Sequence, residues 1–308
     1  MNTLRTVEDQ PAIVCDGLSV RYGQRAVVDE VGFVVPRGAV YALLGRNGAG
    51  KSSIIRCVLG ERRGDAGGVR LFGLDVWRNR ASVMARVGVV PEEPDAPPTM
   101  TVSELAAFYR RVYQRWDQSA LTARLARFGV PKEVPFRALS KGQKTQSALS
   151  LALAAGPELL VLDDPTLGMD LVARHELYGE LIGELADRGT TVLLTTHELA
   201  EVEGIATHVG ILRDGRLVID ESLESLKGRV RQIRCAHGPA DVVGALAPFE
   251  PLAVRSDQHG VEAVVGRYEP NAFDRFRRGM GLVEADAQPL SLADIFTAVV
   301  QDQPGGNS

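Results

Sequence analysis

The sequence is short of cysteine, of lysine and of long apolar runs, and these shortages exclude several classes of protein. Its three cysteines, Cys15, Cys57 and Cys235, lie far apart, so we expect reduced thiols rather than disulfides or a Cys-x-x-Cys metal site. No stretch reaches the roughly 18 consecutive apolar residues of a membrane helix. The first residues, MNTLRTVEDQ, include acids and lack an apolar run, unlike a secretory signal. We therefore expect a chain that does not cross a membrane by itself.

The charges of the chain nearly balance. The formal net charge is -4 at pH 7 and the pI is about 5.8, which argues against a nucleic-acid-binding protein. Hydrophobic residues make up 45% of the 308 residues and charged residues 24%, as in soluble globular proteins. The length suits two domains. The sequence therefore predicts a soluble two-domain protein that binds no nucleic acid.

The first 228 residues have the pattern of an α/β domain. The apolar run Val40–Leu44 predicts a buried strand, which leads into a glycine-rich turn and then a helix that ends at Gly60. Two more strand patterns, LLVLDD (159–164) and TTVLLTTH (190–197), flank a helix. Strand–helix–strand segments of this length form parallel sheets that bind ligands at the carboxyl ends of the strands.

Other segments of this domain have different patterns. Short β-type runs over residues 12–44 predict an antiparallel β-subdomain, and helical spacing predicts a helical subdomain over about 96–155. Its first helix begins near Thr101, with Ser103 as the expected cap. The pair Asp214-Gly215 predicts a hairpin turn.

After residue 228 the pattern changes, and we expect a second domain over 229–302, followed by a disordered tail over 303–308. Its predicted order is strand, helix, strand, strand, helix, strand, which is the ferredoxin-like α+β arrangement, and then a last helix. These elements are predicted at 230–235, 239–247, 252–256, 261–266, 270–280, 282–287 and 291–300. The alternative to a functional role for this second domain is that it only packs against the chain or stabilises a dimer, without binding a ligand.

One segment carries a complete phosphate-binding motif. Residues 45–52, GRNGAGKS, fit G-x-x-x-x-G-K-[ST]. With only five lysines in the chain, we expect a chance match about once in two hundred such sequences. The glycines allow successive backbone N–H groups to bind phosphate at the N-terminus of a helix. The motif predicts Lys51 on the β- and γ-phosphates and the Ser52 hydroxyl on Mg²⁺.

Two neighbouring carboxylates, Asp163 and Asp164, follow the buried strand pattern LLVL. Paired charges at the end of a buried strand are costly unless a cation lies nearby. In P-loop proteins an aspartate at this position holds Mg²⁺ opposite the Ser or Thr hydroxyl, so we predict that Asp163 contacts the metal. The alternative is that the two carboxylates cap the next helix.

Together these segments resemble the ATP-binding cassette (ABC) ATPases over about residues 10–228. ALSKGQ (138–143) is similar to the family's signature motif, usually LSGGQ, and lies shortly before LLVLDDP. Without that context it would indicate only a helix N-cap. The resemblance implies a P-loop NTPase cassette with a mixed sheet core, bound ATP and Mg²⁺, and a head-to-tail dimer around two ATP molecules.

The resemblance also implies roles for individual residues. Tyr22, in SVRYGQ, matches the aromatic residue that stacks on adenine, the alternative being a surface tyrosine. His197 matches the histidine that contacts the γ-phosphate, and Lys51 is a catalytic residue as well as a phosphate ligand. The expected nucleotide contacts are Tyr22, Gly45, Asn47, Gly48, Ala49, Gly50, Lys51, Ser52 and Ser53 within the subunit, and Ser140, Gly142, Gln143 and Asp170 across the dimer.

Two positions depart from the family pattern. Glu92 stands where most relatives have glutamine. In the family this side chain approaches Mg²⁺ and the attacking water, and its loop contacts the membrane partner. The alternative is that the neighbouring Glu93 is the functional residue. Asp164 stands where the family has the glutamate that orients this water. Aspartate is one methylene shorter, about 1.5 Å of reach. We therefore expect slow but real hydrolysis and a long-lived ATP-bound dimer; the alternative is that the backbone or a bridging water makes up the gap.

The resemblance implies the ATPase subunit of a membrane transporter. Its partners would be a second ATPase subunit, either another copy or a different chain, and a separately encoded transmembrane permease. The subunit would be cytoplasmic and peripheral on the inner face of the cell membrane. Residues 289–300, PLSLADIFTAVV, are similar to the tail region of bacterial exporter ATPases, which favours export. The alternative is a soluble ABC-type ATPase acting on the ribosome or on nucleic acid, but the single cassette and acidic pI count against it.

Overall fold

The structure is a computed structural model that describes residues 10–236, 242–257, 260–282 and 284–301. The chain divides into two compact units, Met1–Asp220 and Glu221–Ser308. The expected tail, residues 303–308, lies outside the described residues.

The division between the units falls a few residues before the predicted boundary at 228/229. The helix Leu223–Arg229 therefore belongs to the second unit. Arg229, the last residue of this helix, contacts other residues of the second unit. Its guanidinium pairs with Glu221 and donates to the carbonyl oxygen of Gly266 at 2.5 Å. The backbone of Tyr268 also donates to the Arg229 carbonyl at 2.8 Å.

The first unit contains ten strands and seven α-helices among its described residues. In chain order they are β1 (Ile13–Tyr22), β2 (Arg25–Val35), β3 (Val40–Gly45), α1 (Lys51–Val58), β4 (Ala66–Leu71), β5 (Leu74–Asp75), α2 (Arg80–Met84), β6 (Val87–Val90), α3 (Val102–Val112), α4 (Gln118–Arg127), α5 (Lys141–Ala154), β7 (Leu159–Asp163), α6 (Leu171–Arg188), β8 (Thr191–Thr195), α7 (Leu199–Glu203), β9 (His208–Arg213) and β10 (Arg216–Ser222).

Six of these strands form the central sheet, in the order β10-β9-β3-β8-β7-β6. The strands from β9 to β6 pair in parallel, and β3 and β8 are buried along their whole length, as expected for strands covered on both faces. The hairpin β9–β10 turns at Asp214 and Gly215, both with positive φ. Within the sheet Thr195 is level with Leu43 and Asp163. The ends of β3, β7 and β8 therefore meet at one edge.

A second sheet, β2-β1-β4-β5, is antiparallel throughout. Its inward side chains, such as Ile13 and Leu18, share one buried cluster with Leu43 of β3 and Ile54 of α1. Burial of such side chains is the main stabilising contribution to a fold of this size. This cluster therefore fixes α1, and the loop before it, against the sheet.

The first helix of the helical segment starts differently from the prediction. Thr101, not Ser103, caps α3: the Thr101 hydroxyl accepts from the backbone N–H of Glu104, whose carboxylate accepts from the Thr101 N–H at 2.8 Å. Thr101 has the extended backbone and the glutamate three residues later that a capping box requires. The Ser103 hydroxyl instead donates to Glu133 at 2.7 Å.

The second unit contains four strands and four α-helices among its described residues: α8 (Leu223–Arg229), β11 (Arg231–Ala236), α9 (Val242–Ala245), β12 (Pro251–Asp257), β13 (Gly260–Val265), α10 (Pro270–Gly279), β14 (Ala285–Pro289) and α11 (Leu292–Val300). The strands form one sheet in the order β12-β13-β11-β14, and all its pairs are antiparallel. Part of the helix predicted at 239–247 lies outside the described residues. The strand predicted at 282–287 lies further along the chain, at Ala285–Pro289. In the described part of the chain, no helix combines the length and the apolar character needed to span a membrane.

Candidate nucleotide-binding site

The loop between β3 and α1 has the geometry of an anion-binding nest. Gly48 and Gly50 have φ values of 81° and 111°, in the region that favours glycine. A Cβ at Gly50 would lie 2.7 Å from the carbonyl oxygen of Val27, so no other residue fits there without displacing the backbone. Gly50 also precedes the first turn of α1, where free N–H groups and the helix dipole favour an anion.

Lys51, the first residue of α1, is buried and folds back over this loop. Its ammonium donates to the carbonyl oxygens of Gly45 at 2.6 Å and Arg46 at 3.3 Å. Burial lowers the pKa of Lys51, and the nearby carboxylates of Asp164 and Asp163 oppose that shift. The loop thus holds one cation close to the two carboxylates at the end of β7.

The hydroxyl of Thr195 connects those two carboxylates. It donates to Oδ1 of Asp163 at 2.6 Å and accepts from the backbone N–H of Asp164 at 3.0 Å. Asp164 itself is buried and has a φ of 43°, a left-handed conformation that aspartate tolerates better than most residues. We had not predicted a role for Thr195, although its position two residues before His197 in TTH could have suggested one.

Asp164 also contacts His197. Oδ2 of Asp164 lies 3.3 Å from Nε2 of His197. Burial raises the pKa of Asp164, while His197 and Lys51 favour its ionised form and oppose the shift. Asp164 is therefore a carboxylate held between two basic groups, which is the arrangement that offsets its desolvation.

A cavity of about 410 Å³ brings these groups together. Five separate segments of the chain contribute to it: β2, the P-loop with α1, the loop after β6, the end of β7 with the loop that follows it, and the end of β8. The lining residues are Val27, Asn47, Gly48, Gly50, Lys51, Ser52, Ser53, Glu92, Asp163, Asp164, Leu167, Thr195 and His197.

The remaining predicted residues lie outside this lining. Ser140 caps α5 in a capping box with Gln143, and Asp170 caps α6 by accepting from the N–H of Ala173. A Cβ at Gly142 would lie 3.9 Å from Met169, so the signature segment packs beside the loop that precedes α6. The lining also omits Tyr22, Gly45 and Ala49. Within one subunit, the signature segment is therefore a helix start and not part of the cavity.

Comparison with known proteins identifies the family. The family described as ABC transporter matches residues 28–167. The Nod factor export ATP-binding protein I of Paraburkholderia xenovorans is 34% identical over 256 residues, which are 80% of each chain. The chain belongs to the ABC transporter ATP-binding proteins. The ABC transporter ATP-binding protein YtrB of Bacillus subtilis is 31% identical over 76% of this chain and 79% of its own. A solved structure, the ATP binding subunit of an ABC transporter, superposes with a TM-score of 0.64 at 26% identity, covering 70% of this chain and 92% of that one.

Membership of this family makes the protein an ATP-binding ATPase of the ABC transporter type. The motifs predicted from the sequence, the P-loop and the two carboxylates, are the ones that surround the cavity of this cassette. The sequence-based interpretation of the chain as an ABC ATPase is confirmed.

The cavity also offers oxygen ligands of the kind that Mg²⁺ prefers. The Ser52 hydroxyl and the carboxylates of Asp163 and Glu92 all line it. In the described part of the chain no cluster of three or more His, Cys, Asp or Glu residues could hold a metal. This is compatible with Mg²⁺, which is commonly held by one or two carboxylates together with substrate phosphates and water. The residues present therefore fit a magnesium ion that accompanies a nucleotide.

Proposed function

We propose that this cassette binds ATP and Mg²⁺ in the cavity and hydrolyses the nucleotide to drive a separately encoded permease, with export as the direction of transport. The observation that carries this proposal is the convergence of Lys51, Asp163, Asp164 and His197 on one cavity behind an anion-binding loop. Catalysis of phosphoryl transfer consists mostly of positioning and electrostatic stabilisation, and these side chains supply both.

Each group has a distinct part in the proposed reaction. The backbone N–H groups of the P-loop and Lys51 hold the β- and γ-phosphates, and His197 contacts the γ-phosphate. Asp164 orients the attacking water. Ser52 and Asp163, with Glu92 beside them, hold Mg²⁺, which supplies positive charge to the phosphates. Glu93 is not among the lining residues, so we assign the loop carboxylate at the site to Glu92.

We propose that the working unit is a head-to-tail dimer of two copies of this chain around two ATP molecules. The signature residues Ser140 and Gly142 do not reach their own cavity, which supports a role at the cavity of a second subunit. Beside Asp170, the side chains of Leu171 and Val172 are 70% and 69% exposed. Exposed apolar side chains grouped in this way are typical of protein interfaces.

A second cavity supports an interaction with a permease. It measures about 290 Å³ and is mainly apolar, with Pro91, Pro94, Met100, Phe108 and Tyr109 among its lining residues. The Phe108 side chain is 58% exposed. Pro91, which lines this cavity, directly precedes Glu92, so a permease segment bound there would contact the loop that reaches the nucleotide. Such a contact would hold the subunit on the inner face of the cell membrane.

For the second unit we propose the ferredoxin-like arrangement. Its strand order β12-β13-β11-β14 and its antiparallel pairing support this.

The name of the relative that acts in Nod factor export supports an exporter over an ATPase that acts on the ribosome or on nucleic acid.

Two measurements on the full chain test these proposals. Lys51→Ala should abolish ATP binding and ATPase activity, whereas Lys132→Ala, which removes a lysine from outside the cavity, should leave both unchanged. Asp164→Asn should elute as a dimer from a size-exclusion column with Mg-ATP and as a monomer without it. Activity retained by Lys51→Ala would contradict the proposed site. An unchanged elution volume on adding ATP would contradict the dimer.

A further inference from the structure

One face of the Tyr22 ring is covered by a cation. The guanidinium carbon of Arg62 lies 4.2 Å from the ring centroid, within the range of a cation–π contact. Tyr22, the last residue of β1, is nevertheless 43% exposed. A single guanidinium covers only one face of a ring, and Tyr22 keeps exposed surface beyond this contact.

Arg62 is fixed in this position by the backbone beside Tyr22. Its Nη2 donates to the carbonyl oxygen of Arg21 and lies 3.4 Å from the carboxylate of Asp65. The same carboxylate accepts from the backbone N–H of Arg21 at 2.7 Å. The Nε of Arg62 is buried without a hydrogen-bond partner among the described residues. These contacts hold the guanidinium over the Tyr22 ring, and a planar guanidinium is able to stack on an aromatic face.

The hydroxyl end of Tyr22 lies near α1. A hydrogen bond from Ser53 is the largest of the effects that lower the pKa of the Tyr22 hydroxyl, and Arg56 and Arg62 contribute less. Ser53 lies on α1 and lines the P-loop cavity. Arg62 thus covers the ring, and the Tyr22 hydroxyl lies near Ser53, next to the place where a nucleotide's phosphates would bind.

We propose that Arg62 is a positioning residue for the nucleobase. It packs behind Tyr22, so that the base, the tyrosine ring and the guanidinium form a stack of three layers. This inference rests on the proposed ATP site and on the expectation, implied by the family resemblance, that Tyr22 stacks on adenine. Arg62 itself does not touch the nucleotide; it holds the ring in the orientation that the base requires. A ring that is already ordered loses less conformational freedom on binding, which increases affinity.

The test compares ATP with a ligand that lacks the base. In the full chain, Arg62→Gln should weaken ATP binding about five-fold and leave the affinity for inorganic triphosphate with Mg²⁺ unchanged, both measured by calorimetry. The KM for ATP should rise by a similar factor while kcat stays the same. Arg63→Gln is the matched control, because it removes the same charge from the next residue, and it should bind both ligands like the wild type.

A double-mutant cycle separates positioning from general damage. In a Tyr22→Ala background, Arg62→Gln should cause no further loss of ATP affinity. Arg62→Lys keeps the positive charge but lacks the planar guanidinium group, so it should weaken ATP binding about two-fold. This variant can replace Arg62→Gln if Arg62→Gln does not fold. Equal losses for ATP and triphosphate, additive effects in the cycle, or no loss of ATP affinity would each overturn the inference. A wild-type protein that binds neither ligand would overturn the proposed function instead.

Discussion

Replacing Asp164 with glutamate should raise the rate of ATP hydrolysis and lower the stability of the protein. The Asp164 carboxylate lines the cavity and lies 3.3 Å from Nε2 of His197. A glutamate would carry the carboxylate about 1.5 Å further, into a cavity of about 410 Å³ that has room for it. Since a misplacement of about 1 Å can cost on the order of a hundredfold in rate, we expect kcat to rise by about ten- to a hundredfold.

The stability effect has a different origin, in the backbone. Asp164 has a φ of 43°, and aspartate adopts this conformation at lower cost than glutamate because its short side chain bonds locally. We expect Asp164→Glu to lose about 1 kcal/mol in the free energy of unfolding. In a unit of this size such a loss corresponds to a fall of about 2–4 °C in Tm.

Steady-state ATPase assays and thermal unfolding of the same preparations check both effects. Asp164→Asn keeps the shape of the side chain and its tolerance of the left-handed backbone, so its Tm should match that of the wild type while its kcat falls. A folded Asp164→Glu variant with a kcat at or below that of the wild type would refute the idea that the shorter aspartate side chain limits the rate of hydrolysis. Equal rates for wild type and Asp164→Asn would show that Asp164 does not assist the water.

Three further predictions concern groups around the site and in the fold. Thr195→Val, which removes the hydroxyl bonded to Asp163, should lose about 1 kcal/mol of stability and weaken Mg-ATP binding, whereas Thr195→Ser should retain both; equal calorimetric affinities for the Val and Ser variants would contradict this. Arg124→Met removes one partner of two buried carboxylates on α6, Glu180 and Glu184, which keep contacts with Arg127 and Arg188. It should cost about 2 kcal/mol in urea unfolding; a loss below about 1 kcal/mol would mean that the pairs contribute little. Glu158 has its pKa lowered from 4.5 to about 2, chiefly by its hydrogen bonds with Arg86, so it stabilises the fold above its unfolded pKa. Because 25% of its side chain is exposed, solvent screening reduces its contribution to about 1 kcal/mol at pH 7, and Glu158→Gln should lose this amount in the free energy of unfolding. The difference in unfolding free energy between variant and wild type should shrink to zero as the pH falls from about 5 to about 2.

The sequence predicted the parts of the site that depend on local pattern. The P-loop needs glycines, one lysine and one serine at fixed spacing between a strand and a helix, and all of these are visible in residues 40–58. The strand that ends in Asp163 was predictable because buried parallel strands are continuous apolar runs. The meeting of β3, β7 and β8 at one edge follows from the same rule.

The features that the sequence did not predict depend on contacts between distant positions. Nothing local to Tyr22 indicates that Arg62 covers its ring, since 40 residues separate them in the chain. The two residues come together because the carboxylate of Asp65 bonds both Arg62 and the backbone N–H of Arg21. The hydroxyl of Thr195 reaches Asp163 only because β7 and β8 are in register. The cap of α3 was predicted at Ser103 instead of Thr101 because two hydroxyl residues lie at the start of the helix, and the capping box with Glu104 that selects Thr101 was not considered.

The pair Asp163 and Asp164 shows how such contacts make a costly sequence feature stable. Two carboxylates at the end of a buried strand require compensation, and each receives it from a different source. Asp163 accepts from a neutral hydroxyl through Oδ1, which leaves Oδ2 for the proposed metal, whereas Asp164 is buried beside His197 and is stabilised by the charge of Lys51. The left-handed backbone at Asp164 turns its side chain toward His197 while its N–H bonds to Thr195. One hydroxyl and one unusual φ value thus give two neighbouring aspartates different surroundings, which suit the proposed metal ligand at Asp163 and the proposed water-directing group at Asp164, and this separation would hold for a glutamate at position 164 as well.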